Sequence, residues 1–355
     1  MKKWVLTTLL MISFSARAET ITGEACGDDC NWYLKDGTLT ITGSGKIKEY
    51  VRDCLNHCKT DAPWYQYQED ITKVVIQNKS DTEKFDTIGA HAFEDMHSTQ
   101  EVVLPDGLKT IDNEAFHLNS ALEKINLPDT LESIGSWGLS NTNLSEINIP
   151  DSVEFIGGAA FNSTLLETLV IPDSVDVLET RICSHCPNLT NIVLPENISS
   201  AAGHVFTGAS MTNVYCHKKN QTICAQILSA SGKMDKEIST ILQGYDRQGG
   251  VYILDYGTEN ERYYISGSDM ANGTECQKAL SECKRDVLEA KGICEGAACD
   301  TFIQSDGNYM LKYNGKTYQS INDLLKGNYD RRRIYTIDEA NFIAGKVNRV
   351  SIRYR

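Results

Sequence analysis

Beyond its first two dozen residues the chain lacks any run approaching the roughly 20 apolar residues that a membrane-spanning helix needs. It has no glycine-rich phosphate loop, no Ser/His/Asp order and no HExxH helix, so nucleotide, hydrolase and metalloprotease chemistry have no visible site. Its 7 histidines are scattered, and His91, His97 and His117 read as solvated turn residues. Paired carboxylates, Asp28-Asp29 and Glu259 with Glu261, fall in expected turns. Positive charge is short as well: 34 Lys and Arg face 48 Asp and Glu, a formal net charge of -14. Such a chain repels phosphate backbones, which argues against general nucleic-acid binding. These absences leave no expected catalytic residue, cofactor or resident metal, and the chain reads as a non-enzyme.

What is present starts with Lys2 and Lys3, an apolar run from Trp4 through Phe14, and Ala16-Arg17-Ala18. This is the layout of a secretory signal peptide, expected over residues 1–18 with the mature chain beginning near Glu19. Its loss takes the charge to -17. No cysteine directly follows the cleavage site, so lipid anchoring is not expected, and the protein is placed as secreted, periplasmic or at the cell surface. Export sets the redox context for 12 cysteines, for which disulfides are the default.

The middle of the chain repeats. Pro105, Pro128, Pro150, Pro172 and Pro195 recur at intervals of 23, 22, 22 and 23 residues, a period that signals a solenoid. Three residues before each stands Val102, Ile125, Ile147, Leu169 or Ile192, and one residue before it Leu104, Leu127, Ile149, Ile171 or Leu194, which is strand alternation. Leu108, Leu131, Val153, Val175 and Ile198 follow three residues after, then Ile111, Ile134, Ile156, Leu178 and Ala201. Ala115-Phe116 and Ala160-Phe161 start the return. Each unit thus makes a strand, turns at proline, which cannot continue a ladder, makes a second extended segment and doubles back. A single coil buries too little to stand alone, so neighbours must stack.

The segments LPDGLKTIDNEAF, LPDTLESIGSWGL, IPDSVEFIGGAAF and IPDSVDVLETRIC resemble the BspA-type leucine-rich repeat, and CGDDCNWYLKDGTLTITGSG with APWYQYQEDITKVVI is similar to its amino-terminal lead-in. The resemblance covers about Gly23 to Cys216. It implies a secreted or surface-exposed protein used in adhesion or partner binding, and it names no ligand. The unit with Trp137-Gly138-Leu139 departs from the Ala-Phe pattern, implying a local change of core shape.

The expected fold is mainly β with short helices: a leucine-rich-repeat solenoid over 77–216, a β-hairpin cap and lead-in over 19–76, a linker over 217–249 and a cysteine-containing α+β domain with a basic tail over 250–355. Asp36-Gly37 and Asn314-Gly315 signal hairpins, Met211 to Cys216 reads as a final repeat strand, and Thr274 with Gln277 as a capping box opening a helix stopped by Gly292. On that reading Cys276 and Cys283 share a helix face, and a nested pairing, Cys283 with Cys294 and Cys276 with Cys299, is natural among three arrangements. Arg331 to Arg355 carries seven basic and two acidic residues, with Thr336 and Glu339 as a further capping box. It reads either as a basic part docked on the acidic body or as a peripheral contact for an anionic envelope surface or a partner.

Cys183-Ser184-His185-Cys186 resembles the motif of exported thiol oxidoreductases, which need an accessible low-pKa thiolate. Yet Cys183 stands where Phe116 and Phe161 stand, so a buried structural pair is expected and the oxidoreductase is the alternative. Cys26, Cys30, Cys54 and Cys58 are expected in disulfides, paired either locally or across the lead-in, although with His57 they could supply zinc ligands; Cys216 and Cys224 complete the disulfide candidates. Between the buried strand positions, Glu101, Val103, Lys124, Asn126, Glu146, Asn148, Thr168, Val170, Asn191 and Val193 are expected to face outward. Stacked, they form the proposed contact face for a protein or glycan ligand. A purely structural envelope component is the remaining reading.

Overall fold

A strand that must close the open end of a stack has to satisfy two ladders, and the long third strand of this chain does so. In the computed structural model, which describes residues 20–24, 26–53, 59–306, 311–314 and 316–325, β1 (Ile21–Glu24), β2 (Gly27–Lys35) and β3 (Thr38–Ile47) form an antiparallel meander. The β2–β3 turn places Asp36 and Gly37 at φ 49° and 74°, both positive as a tight hairpin requires. β3 then pairs in parallel with Lys73–Asn78 through its first half and with Phe85–Ile88 through its second. The bend between the halves lies at Gly43 and Gly45; a Cβ on Gly43 would fall 1.8 Å from the Asp29 carbonyl oxygen, so only glycine lets the strands approach there.

From β3 two parallel ladders run along the chain. The front ladder stacks Lys73–Asn78, Glu101–Val103 and Lys124–Asn126, and later Thr168–Val170, Asn191–Val193 and Asn213–His217. The rear ladder stacks Phe85–Ile88, Thr110–Ile111, Ser133–Ile134 and Phe155–Ile156, then Val177–Leu178 with Ser200–Ala201. Beyond the first front pair, every pairing joins positions one repeat apart, so the apolar columns read from the sequence become buried columns: Val102, Ile125, Leu169 and Ile192 in front, and Ile111, Ile134, Ile156 and Leu178 behind. Trp64, Phe93 and Phe116 stack with ring centroids 5.2 and 5.3 Å apart. The chain is mainly β with curled parallel sheets and a few short helices. None of the described helices is long and apolar enough to cross a membrane.

A third ladder, made by the return segments, has no sequence signature. In each, two residues flanking the buried core position are left-handed: His91 and Asp95, Glu114 and Leu118, Trp137 and Asn141, Ala159 and Ser163, Arg181 and His185, His204 and Gly208. Alternate N–H groups donate to the carbonyl one coil on, as in Phe93 to Ala115, Phe116 to Gly138, Leu139 to Ala160 and Phe161 to Ile182, all at 2.9 Å.

Three expectations are corrected. First, Glu146–Asn148 joins no ladder, so the front face is interrupted between Lys124–Asn126 and Thr168–Val170. The break falls just after the return in which Leu139 stands where other coils carry phenylalanine and the aromatic stack ends. Second, the segment expected as a linker is built into the sheet: α1 (Gln221–Ala230) and α2 (Asp235–Ile241) return the chain so that Leu242–Gln248 pairs in parallel with Asn213–His217. Its helices bury Cys224, Ile227, Leu228, Ile238 and Ile241 against the repeat core, which is why they dock. Val251–Leu254 and Arg262–Tyr264 extend this sheet antiparallel.

Third, Thr274 and Gln277 do not cap a helix. The Cys276 N–H donates to the Tyr263 carbonyl at 2.7 Å, so this segment, which lies between α3 (Gly267–Asn272) and α4 (Leu280–Ala290), is pinned to the strand Arg262–Tyr264. Cys276 therefore precedes α4 instead of sharing its face, and the disulfides are local, Cys276–Cys283 and Cys294–Cys299, not nested. Gly292 does stop the helix, at φ 65°. α5 (Ala297–Ser305), a hairpin of Leu311–Tyr313 with Lys316–Tyr318, and α6 (Ile321–Leu325) complete the described chain. Residues 1–18, expected as a signal peptide, Cys54, His57, Cys58, Gly315 and the tail Arg331 to Arg355 with Thr336 and Glu339 lie outside the described residues.

Candidate binding face

The outward positions of the front ladder divide into two halves. In the first, Val103, Lys124, Asn126, Glu146 and Asn148 are exposed and Glu101 is half-exposed. Glu101 stands between Lys73, 2.8 Å away, and Lys124, 3.8 Å away; hydrogen bonding to Lys73 holds its carboxyl below the usual range. The backbone groups of Glu146–Asn148 stay outside the ladder. Beside them opens a groove of 540 Å³, with Lys124, Asn126, Glu146 and Asn148 on one wall and Ser268 and Asn272 of α3 on the other.

The second half is covered. α3 lies across Thr168–Val170 and Asn191–Val193, Val193 is 1% exposed and Val170 is half-buried. This corrects the expectation that Val170 and Val193 face outward along an uninterrupted ladder. The reason is non-local: Met270 and Ala271 of α3 join Val193, Tyr215, Tyr245, Tyr252 and Tyr264 in an apolar cluster. Gly267 permits the approach, since a Cβ there would meet Val170 Cγ1 at 2.8 Å. Asn191 instead continues an amide chain, accepting from Asn213, which accepts from Gln243, both at 2.8 Å. The tyrosine-rich runs VYILDY and RYYIS were the signal for this cluster, but only the fold shows what it covers. Arg247, 4.4 Å from the Tyr252 ring centroid, forms an ion pair with Asp173 and ties the cluster to the repeats.

Cys183 and Cys186 form a disulfide, both fully buried. The Thr164 hydroxyl lies 3.7 and 3.4 Å from their sulfurs. Cys183 fills the core position that phenylalanine fills in other coils and Cys186 lies buried three residues on, so no substrate disulfide can reach a sulfur while the coil is folded. Cys26–Cys30 and Cys216–Cys224 are also paired.

The histidines need revision. His117 is buried, its Nδ1 2.5 Å from the Ser140 hydroxyl and its ring edge-on to Trp137; burial holds its pKa below the usual histidine range. His91, Glu94 and Glu114 bring ligand atoms within 4.8 Å of one another. Arg52 stands in that cluster, 2.7 Å from Glu94 and 3.6 Å from Glu114, supplying the cation that two carboxylates call for. Burial nevertheless pushes the Glu94 carboxyl up, against the pull of His91 and Arg52.

Six copies of a model described as the BspA type leucine rich repeat region match the chain, over residues 64–182 and 110–235. No curated protein matches it. Among solved structures, a leucine-rich repeat protein from Bacteroides ovatus ATCC 8483 is 22% identical with a TM-score of 0.38; the match covers 54% of this chain and spans 59% of that protein's length. A T. pallidum leucine rich repeat protein is 20% identical, covering 54% of this chain and 89% of its own, with a TM-score of 0.33. A leucine rich cell surface protein from Faecalibacterium prausnitzii A2-165 is 15% identical, covering 55% and 76%, with a TM-score of 0.26.

Proposed function

With residues 64–235 belonging to the BspA-type leucine-rich-repeat family, we propose that this chain is an exported, non-enzymatic module for protein binding or adhesion at or outside the cell envelope. Its coils form a solenoid closed at one end by the β1–β3 hairpin cap and at the other by the α+β segment. Export is supported by the signal-like residues 1–18 and by the disulfides, which persist in oxidising compartments.

The observation that carries this reading is the exposed first half of the front ladder. Glu101, Lys124 and Glu146 present alternating charge, Asn126 and Asn148 present amides, and the main chain of Glu146–Asn148 keeps donors and acceptors that no neighbouring strand uses. A partner with an extended polar segment can pair with that backbone while side chains set its register. Thr168, Val170, Asn191 and Val193 are left out of the contact because α3 lies over them.

The test is the combined substitution Lys124→Ala, Asn126→Ala and Asn148→Ala, with Ser199→Ala on the rear as control, compared by quantitative capture of extracellular macromolecules on immobilised protein. Expected is loss of most capture in the triple variant alone, with an unchanged melting temperature. Undiminished capture by the triple variant contradicts this face.

A further inference from the structure

The groove beside Glu146–Asn148 does not end at α3. Asn148, Val170 and Ser268 line both that groove and a second cavity of 580 Å³, bounded by the Pro150 and Pro172 coils and by Arg247, Gly250 and Tyr252. A cavity of this size accommodates a small organic molecule, and the chemistry of its wall decides which kind.

Charge narrows the choice first. Asp151, Glu154, Asp173 and Asp176 line the cavity against Arg247 and Lys291, so an anion is repelled. Arg247 already pairs with Asp173, and Lys291 with Asp151. The carboxylates do not converge on a metal ion, since among the described residues only His91, Glu94 and Glu114 bring three ligand atoms within 4.8 Å of one another. An organic ammonium group favours a free aromatic face. The aromatic ring in this wall, Tyr252, is already taken up by Arg247 and by Tyr245, 4.4 and 5.2 Å from its centroid.

What the wall offers instead is uncommitted hydrogen-bonding capacity. Tyr252 is 9% exposed, yet its hydroxyl makes no hydrogen bond among the described residues. That hydroxyl lies 3.6 Å from where a Cβ on Gly267 would stand, beside the space that the missing side chain leaves. Burial pushes its pKa up, so it keeps the proton it can donate. The main chain of Ile147–Ile149, also in the wall, pairs with no neighbouring strand. Among these polar groups stand Ile147, Ile149, Val170, Ile265, Val287 and Leu325. Such a mixture suits a ligand with many hydroxyls on a carbon ring. Each hydroxyl can donate and accept, while the C–H faces lie against aliphatic side chains.

We propose that this cavity binds a neutral sugar residue of a glycan, held by the Tyr252 hydroxyl and the unpaired main chain of Ile147–Ile149. The site goes beyond the binding face described above and does not rest on it, because Lys124 and Asn126 lie outside the cavity wall.

The experiment titrates the full chain calorimetrically with maltose, cellobiose, lactose and N,N′-diacetylchitobiose, each up to about 10 mM. It is repeated with Tyr252→Phe, which deletes only the hydroxyl, and with Ser268→Trp, which fills the cavity from an exposed position of α3. Expected is saturable binding of at least one disaccharide by the parent, about tenfold weaker in Tyr252→Phe, the scale of one buried hydrogen bond, and lost in Ser268→Trp. Urea midpoints stay equal, and neither spermidine nor gluconate competes. The double variant Lys124→Ala, Asn126→Ala binds sugar as the parent does, whatever happens to its capture of macromolecules. Absence of binding by all four disaccharides overturns the proposal. Affinity unchanged in Tyr252→Phe also overturns it, and so does displacement of the sugar by spermidine, which would make the cavity a cation site.

Discussion

Eleven non-glycine residues in the return segments, from His91 to His204, sit at left-handed dihedrals, where an L-residue costs roughly 1–2 kcal/mol. They are held there because each turn aims one wholly buried side chain inward, Phe93, Phe116, Leu139, Phe161, Cys183 or Phe206, worth about 1.5–3 kcal/mol for a large apolar group, and because the intercoil N–H bonds add about 1 kcal/mol each. His117 lies inside this frame with its pKa depressed by burial below 6.5. A depressed folded pKa means that the unfolded chain takes up the proton first, so the histidine's contribution is complete above about pH 6.5 and is lost as the pH falls through the folded value. Glu94, with its carboxyl raised, acts in the opposite sense. Comparing variants isolates the histidine: the drop in urea midpoint between about pH 7.5 and about pH 5 should be smaller in His117→Gln than in the parent. An equal drop would show that His117 does not titrate differently on unfolding. Burial also orders the disulfides. Cys183–Cys186 and Cys216–Cys224, with all four cysteines fully buried, should be reduced by dithiothreitol under native conditions only after Cys276–Cys283 and Cys294–Cys299, each with one half-exposed member. Mass mapping of alkylated peptides over time would reveal a reversed order.

At the scale of elements, α3 decides how much of the front ladder is available. Gly267 already stands where a Cβ would press on Val170 Cγ1, so Gly267→Val should lift α3 from Val193 and the tyrosine cluster at a cost of about 1–3 kcal/mol. Hydrogen exchange should accelerate over Gly267–Asn272 while Glu101–Asn126 keeps its protection; unchanged exchange in α3 would mean that the helix is not held by this close fit. The same element marks where sequence reading stops. Strand columns such as Val102, Ile125 and Leu169 were legible because period and proline spacing are local, and Asp36-Gly37 because its turn chemistry is. The left-handed positions were hidden, since they carry His, Glu, Trp, Ala and Arg instead of glycine and are stabilised only by the neighbouring coil. Ile238 and Ile241 of α2 gave no local sign that their segment returns a strand to the sheet. Thr274 and Gln277 matched a capping pattern that the Cys276–Tyr263 backbone bond overrides. Of the candidate face, the alternation was readable, whereas the covering of Val170 and Val193 depends on residues some seventy to a hundred positions away.

For the whole molecule the question is how one core stays cooperative across a broken sheet. The front ladder stops on both sides of Glu146–Asn148, and the rear ladder between Phe155–Ile156 and Val177–Leu178. Between the Pro150 and Pro172 coils, where both ladders are broken, the Glu167 N–H still donates to the Ser145 carbonyl at 3.2 Å, and two larger connections cross the seam. One is the return ladder, in which Ala159, Phe161 and Ser163 donate to Thr180, Ile182 and Ser184, all at 2.9 Å. The other is the apolar core, continuous from Cys26 to Ile241. Phe161 belongs to both, so Phe161→Ala should remove about 3–5 kcal/mol from the coupling between blocks as well as from the amino-terminal block. In a stacked array, where stability is a sum of coil and interface contributions, weakening one interface separates the transitions. The described tryptophans, Trp32, Trp64 and Trp137, lie in the amino-terminal block, and Tyr215, Tyr245, Tyr252 and Tyr264 cluster beyond the seam. Tryptophan fluorescence and near-ultraviolet tyrosine dichroism should thus give one urea midpoint in the parent and two in Phe161→Ala. Midpoints that fall together in the variant would place the coupling elsewhere than at this coil.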